Sequence, residues 1–181
     1  AVRIGYIHYN EQRYEDAIAM LSGPAQGSDD AQLLNILAAS YQTLGREDEA
    51  LAVLQAARAA NPGDVEVLLE VGRILWDRED FGAAAQVYRE AVVAAPDNPD
   101  PHHNLAMALL ELAREDQDEE GQSTAASQAH AQEARAQLEK VVELNPAAGD
   151  AWYWLGVLYA QANRVADSEA AFQKASDLGV E

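Results

Sequence analysis

Cysteine is absent from the 181 residues, which excludes disulfide frameworks, thiolate metal sites and thiol catalysis. Lysine is almost absent too: Lys140 and Lys174 are the only two, and the other ten cations are arginines. No apolar run approaches the roughly 18 residues of a membrane span. No signal peptide is visible, and the chain opens on Ala1 rather than methionine, which reads as an excised or processed segment. Cationic charge as a whole is scarce. Twelve Lys and Arg face 31 Asp and Glu, a formal net charge of −19. That balance argues against nucleic acid, whose phosphates need clustered cations, and against anionic membrane surfaces. It favours a partner that is basic, or one read through apolar contacts. An acidic, lysine-poor surface suits a high-salt cytoplasm, and the chain is read as cytoplasmic.

Signatures of chemistry are missing as well. There is no GxSxG elbow, P-loop, HExxH or strand-borne GxGxxG. His102 and His103 are adjacent, and neighbouring helix positions point about 100° apart, so they do not chelate one metal together. Asp116-x-Asp118-x-Glu120-Gly121 resembles the start of a calcium loop, but Ser127 stands where the bidentate glutamate belongs. The carboxylates lie on helix faces and in turns without apolar isolation, so no tuned acid–base pair is indicated. We read the chain as non-enzymatic, with no cofactor and no metal.

What is present is a repeat. Pro62 and Pro96 are 34 residues apart, and residues 31–64 and 65–98 superpose without a gap. A further copy covers 99–148, lengthened by 16 residues near 114–129, and another covers 149–181. Residues 1–30 form a degenerate first copy whose closing helix is expected to be cut short by Gly23-Pro24. The 37 alanines supply small side chains where paired helices approach closely. Within 65–98, Leu68, Val71, Gly72 and Leu75 form one helical stripe. A polar turn follows at Asp77–Asp80, then Ala84, Tyr88 and Ala91 form a second stripe, which Pro96 ends. Residues of the interruption favour helix on both sides of Gly121. Two forms remain open for it: a hairpin of longer helices, with Ser123 or Thr124 as cap, or a solvated loop.

The pattern resembles the tetratricopeptide repeat, W-x2-L-G-x2-Y followed by A-x3-F-x2-A and a proline. Trp152, Leu155, Gly156, Tyr159, Phe172 and Ala175 match best, with Ser168 in place of the usual alanine. Leu34, Leu37, Ala38, Tyr41, Ala50, Leu54 and Ala57 carry the match in 31–64, and His102, Leu105, Ala106 and Leu109, then Ala134, Leu138 and Val141, carry it in 99–148. The resemblance covers nearly the whole chain. It implies an all-α, right-handed superhelical solenoid of antiparallel helix pairs forming a single array, with the first helix of each pair lining a concave face. Trp152 is expected in the core.

The stripe one step off the packing stripe then supplies the candidate peptide-binding residues: Asn35 and Gln42; Glu66, Leu69, Arg73 and Trp76; His103, Met107 and Leu110; Tyr153 and Trp154. Chaperone-binding relatives grip a carboxylate with a clamp of lysine, arginine and asparagine. Here only Asn35 fits a clamp position and Arg73 is the sole cation in the stripe, so the clamp is missing. The surface instead suits a protein or peptide segment with apolar anchors or basic flanks. Alternatives are a structural module that self-associates through uncapped terminal helices, giving a homo-oligomer, or the interaction segment of a larger protein whose activity lies elsewhere.

Overall fold

The computed structural model describes residues 1–180, which hold ten α-helices: α1 (Val2–Asn10), α2 (Tyr14–Ala25), α3 (Ala31–Thr43), α4 (Glu47–Ala60), α5 (Val65–Asp77), α6 (Phe81–Ala94), α7 (Pro99–Glu115), α8 (Ala125–Leu144), α9 (Gly149–Gln161) and α10 (Val165–Asp177). The chain parts into two compact units, Ala1–Arg78 and Glu79–Glu181. In the first, each helix packs on the next, from α1 to α5; in the second, α6 to α10 do the same.

Three tight turns joining antiparallel helices place a residue in the left-handed region at the same offset: Gln12 (φ 60°), Gly45 (φ 69°) and Asn163 (φ 56°). Glu79 (φ 60°) stands in the turn before α6. Only Gly45 meets that conformation without a Cβ penalty. At the other end of the pairs, Asn61, Ala95 and Asn145 share one backbone conformation, with φ of −137°, −139° and −133° and ψ of 87°, 72° and 87°. Side-chain caps then start the following helices. Asp30 accepts from the Leu33 N–H and Asp64 from the Val67 N–H, each at 3.2 Å, and Asn98 accepts from the Asp100 N–H at 3.0 Å.

Each unit has its own apolar core. Leu21, Leu34, Leu37, Leu54 and Leu68 are buried in the first; Leu105, Leu109, Leu138 and Leu155 in the second. Each contributes about 1.5–3 kcal/mol of transfer free energy. Small residues set the helix spacing. A Cβ on Gly156 would stand 2.7 Å from ring atoms of Phe172, and one on Gly5 would collide with Leu21. Ser168, where the repeat pattern has alanine, donates its hydroxyl to the Gly156 carbonyl at 2.8 Å, and Ser127 does the same to Ala113 at 2.6 Å. Both hydroxyls are buried and satisfied, which removes the cost of placing serine there.

Three expectations need correction. First, α2 runs through Pro24 and ends at Ala25. In the last turn the proline deprives only one carbonyl of its partner, so the helix closes a residue later. Second, the buried stripe of α5 uses Ile74, 1% exposed, while Leu75 is half-buried. Third, Trp152 is half-buried rather than core; its indole N–H reaches out to the Pro146 carbonyl at 3.1 Å.

The interruption near 114–129 takes the hairpin form. α7 has 17 residues against 13 in α5, and α8 has 20 against 14 in α6. The extra length is thus about 6 Å in α7 and about 9 Å in α8, at 1.5 Å per residue. Thr124 caps α8 by accepting from the Ser127 N–H at 3.1 Å, and its hydroxyl donates to the Asp116 carbonyl at 2.6 Å. His130 Nδ1 meets Asp116 Oδ2 at 2.8 Å. The Asp118 carboxylate accepts from the N–H groups of Glu120 (3.1 Å) and Gln122 (2.6 Å), with Gly121 at φ 74° completing the turn. That carboxylate therefore serves its own loop.

Candidate functional site

In the first unit the candidate residues come from α3 and α5. Gln42 donates to Glu70 Oε2 at 2.9 Å, which ties the two helices together. Arg73 donates to the same oxygen at 3.1 Å and to Asp77 Oδ2 at 2.8 Å. The single cation of the stripe is thus held between two carboxylates, and the face stays acidic. Glu66 is exposed, while Asn35, Leu69 and Trp76 are half-buried. The Asn35 Oδ1 atom is enclosed without a hydrogen-bond partner among the described residues.

In the second unit the candidates come from α7 and α9. His103 Nε2 lies 2.8 Å from Asp150 Oδ2, close but not aligned as a hydrogen bond. Its neighbour His102 is 6% exposed, with Nδ1 at 2.6 Å from Gln137 Oε1 and Nε2 at 3.0 Å from the Pro96 carbonyl. His102 therefore locks α7 to α8 and to the chain before it. Met107 is half-buried. Tyr153 is 36% exposed and stands edge-on to two rings, Trp154 at 5.6 Å and Phe172 at 5.7 Å between centroids. Such contacts hold an aromatic side chain rigid at the surface.

Leu110 and Trp154 share a further environment. They line a cavity of about 540 Å³ bounded by the end of α7, the first half of α8 and the second half of α9. Val157 and Leu158 complete its apolar floor. Its polar lining includes Glu111, Arg114 and Arg135, and the carboxamides of Gln117, Gln128, Gln132 and Gln161. The cavity exists because α7 and α8 are longer than the neighbouring pair and overhang the α9–α10 turn. The residues of α8 were invisible to a reading confined to the first helix of each pair. The available signal was the glutamines at 117, 122, 128 and 132, the first within the acidic stretch of the interruption and the others after it.

Polar contacts also tie the pairs of the second unit together. Arg89 on α6 donates through Nε and Nη2 to both oxygens of Glu133 on α8, each at 2.8 Å. This bidentate bond holds the Glu133 carboxyl below its ordinary range, against the opposing effect of burial. Tyr159 donates to Glu139 at 3.0 Å; burial first, and that bond second, push its phenol above its usual value. Among the described residues no group of three or more His, Asp or Glu side chains converges as a metal site, and no helix is long and apolar enough to cross a membrane.

A family profile described as tetratricopeptide repeat matches residues 35–99 and 123–179. Protein FlbA of Caulobacter vibrioides is 36% identical over 84 residues, which are 46% of this chain. The chain spans 14% of the length of that relative. Among solved structures, two crystal structures of MamA are similar. One has a TM-score of 0.77 at 16% identity, covering 97% of this chain and 94% of MamA. The other has 0.79 at 15% identity, covering 98% and 88%. At those identities the likeness speaks for the fold, an all-α solenoid of helix pairs.

Proposed function

The chain belongs to the tetratricopeptide repeat family, and from that premise we propose that its first-helix faces are docking surfaces for an apolar or basic segment of a partner protein. The fold supports a protein–protein interaction scaffold in general; the segment and the faces are our reading. The observation that carries it is Tyr153, an aromatic ring a third exposed yet braced by Trp154 and Phe172. Rigid, half-exposed aromatics are the residue type that dominates binding energy at interfaces. Carboxylates flank the apolar positions on both faces: Glu66, Glu70 and Asp77 around Leu69 and Trp76, and Asp150 and Glu111 around Met107 and Leu110. A segment with apolar anchors and basic flanks complements that arrangement.

The test is affinity capture with wild type and with a Trp76→Ala, Tyr153→Ala double variant of unchanged circular dichroism. The double variant should lose the proteins that wild type retains. Identical captured sets would overturn the reading. A second reading, self-association, is favoured by Ile4 and Ile7 on α1, which are 50% and 53% exposed. Light scattering across concentration separates the two, since a persistent monomer counts against self-association.

A further inference from the structure

The cavity beneath the α7–α8 overhang reverses the charge balance of the chain. In a protein of net charge −19, one carboxylate, Glu111, lines it against two guanidinium groups, Arg114 and Arg135. Glu111 is already committed, accepting from Arg114 Nε at 2.7 Å. Arg135 is paired more loosely. Its side chain is only 29% exposed, and its carboxylate neighbour Glu139 stands 3.7 Å from Nε, beyond hydrogen-bond range. Glu139 also accepts the hydroxyl of Tyr159. Arg135 is therefore ion-paired with Glu139 on one side, yet among the described residues its partly enclosed fork of donors makes no hydrogen bond, which leaves those donors to the cavity.

The rest of the lining fits a polypeptide. Leu110, Trp154, Val157 and Leu158 form an apolar floor. The four glutamine carboxamides each offer a donor and an acceptor, which is what an extended backbone requires of its neighbours. The volume of about 540 Å³ falls within the range of about 300–1,000 Å³ typical of ligand sites.

We propose that this cavity binds an extended segment of a partner protein that carries an acidic side chain beside a large apolar one. The carboxylate meets Arg135, and the apolar side chain rests on Trp154 and Leu110. This goes beyond the docking role of the first-helix faces: the cavity shares Leu110, Glu111 and Trp154 with the face of the second unit, but the deciding residue lies on α8, a second helix, and the charge preference is opposite to that of the face of the first unit. A basic segment would bring like charge against Arg135 in a partly desolvated place, so this cavity and the face of the first unit discriminate between partners by sign.

The test uses the full chain and an array of capped decapeptides with a central phenylalanine and Glu, Gln or Lys two residues away. Wild type should favour Glu over Gln by about tenfold, the size of one charge-assisted contact, with Lys weakest. Arg135→Glu should invert that order, and Arg135→Lys should keep it in weaker form. If Arg135→Glu fails to fold, Arg135→Gln reads the same point by abolishing the preference for Glu over Gln. The proposal is overturned if no peptide binds, if wild type shows no preference, or if the order survives Arg135→Glu. It is also overturned if free N-acetylglutamate competes as well as the peptides, which would mark a small-anion site. Trp76→Ala, in the other unit, should leave the Glu preference unchanged, so failure of the first-helix reading and failure of this one are distinguishable.

Discussion

Gly156→Ala should destabilise the α9–α10 pair, although alanine is the better helix former. Two opposed effects set the size. Replacing a mid-helix glycine by alanine favours the helix by about 1 kcal/mol. Against this, the new Cβ would lie 2.7 Å from Cδ1 and Cε1 of Phe172 and 2.9 Å from Cγ. Carbon atoms pack at about 3.5–4.0 Å, so the ring must retreat by most of an ångström. Its edge-on contact with Tyr153, at 5.7 Å between centroids, resists that movement. Overpacking of this kind costs about 1–3 kcal/mol, which leaves a net loss of up to about 2 kcal/mol. Removing the obstacle should reverse the sign: in a Phe172→Ala background, Gly156→Ala should stabilise by about 1 kcal/mol. The resulting coupling between the two sites is about 1–3 kcal/mol. Native-state hydrogen exchange of α9 and α10 amides is the suitable assay, because a helix pair can open apart from the rest of an array. If Gly156→Ala stabilises the wild-type background, or has equal effects in both, close packing of Phe172 on Gly156 is not what holds this position small.

The Arg89–Glu133 contact gives a pH-dependent expectation. Glu133 titrates below its ordinary range because of its hydrogen bonds to Arg89, so the stability it adds is present above that range and is lost as pH falls through the lowered value. Arg89→Leu should therefore lower the unfolding free energy measured in urea at neutral pH by less than about 1 kcal/mol, since the side chains are 41% and 35% exposed. The difference from wild type should shrink on acidification; a gap that widens instead would contradict the assignment. Gln12 and Glu79 both sit at φ 60°. Replacing either with glycine should stabilise by about 0.5–1 kcal/mol, the left-handed penalty less the added unfolded-state entropy. Thermal melts by circular dichroism suffice to check this, and a lower Tm in both variants would show that the turns are not strained.

Local pattern and local packing were legible in the sequence to different depths. Leu34, Leu37, Ala38 and Leu68 are recognisable as buried because a repeating helix buries the same stripe each time. Leu75 and Trp152 were misread because the helices here are flanked on more than one side, and a stripe one step away can be the more enclosed. Trp152 turns its indole N–H to the Pro146 carbonyl, a contact no periodicity announces. Pro24 broke the rule for helix ends because a proline in a last turn removes little. The interruption betrayed its length but not its product. The cavity depends on how far one pair outreaches the next, and that difference belongs to neighbouring elements rather than to any motif. Nothing in the local sequence around Arg135 sets it apart from the other arginines.

In a fold of stacked pairs each hairpin meets only its neighbours, so residues added at a tip leave the other pairs undisturbed. Lengthening α7 and α8 together by a turn would extend their shared ridge by about 5.4 Å while Leu105, Leu109 and Leu138 kept their places. Shortening them would close the space beneath. Tip length thus works as a dial on what the chain can grip, turned by small insertions and deletions rather than by substitutions in the core. A lineage, or a designer, could retune recognition at this tip without renegotiating the fold.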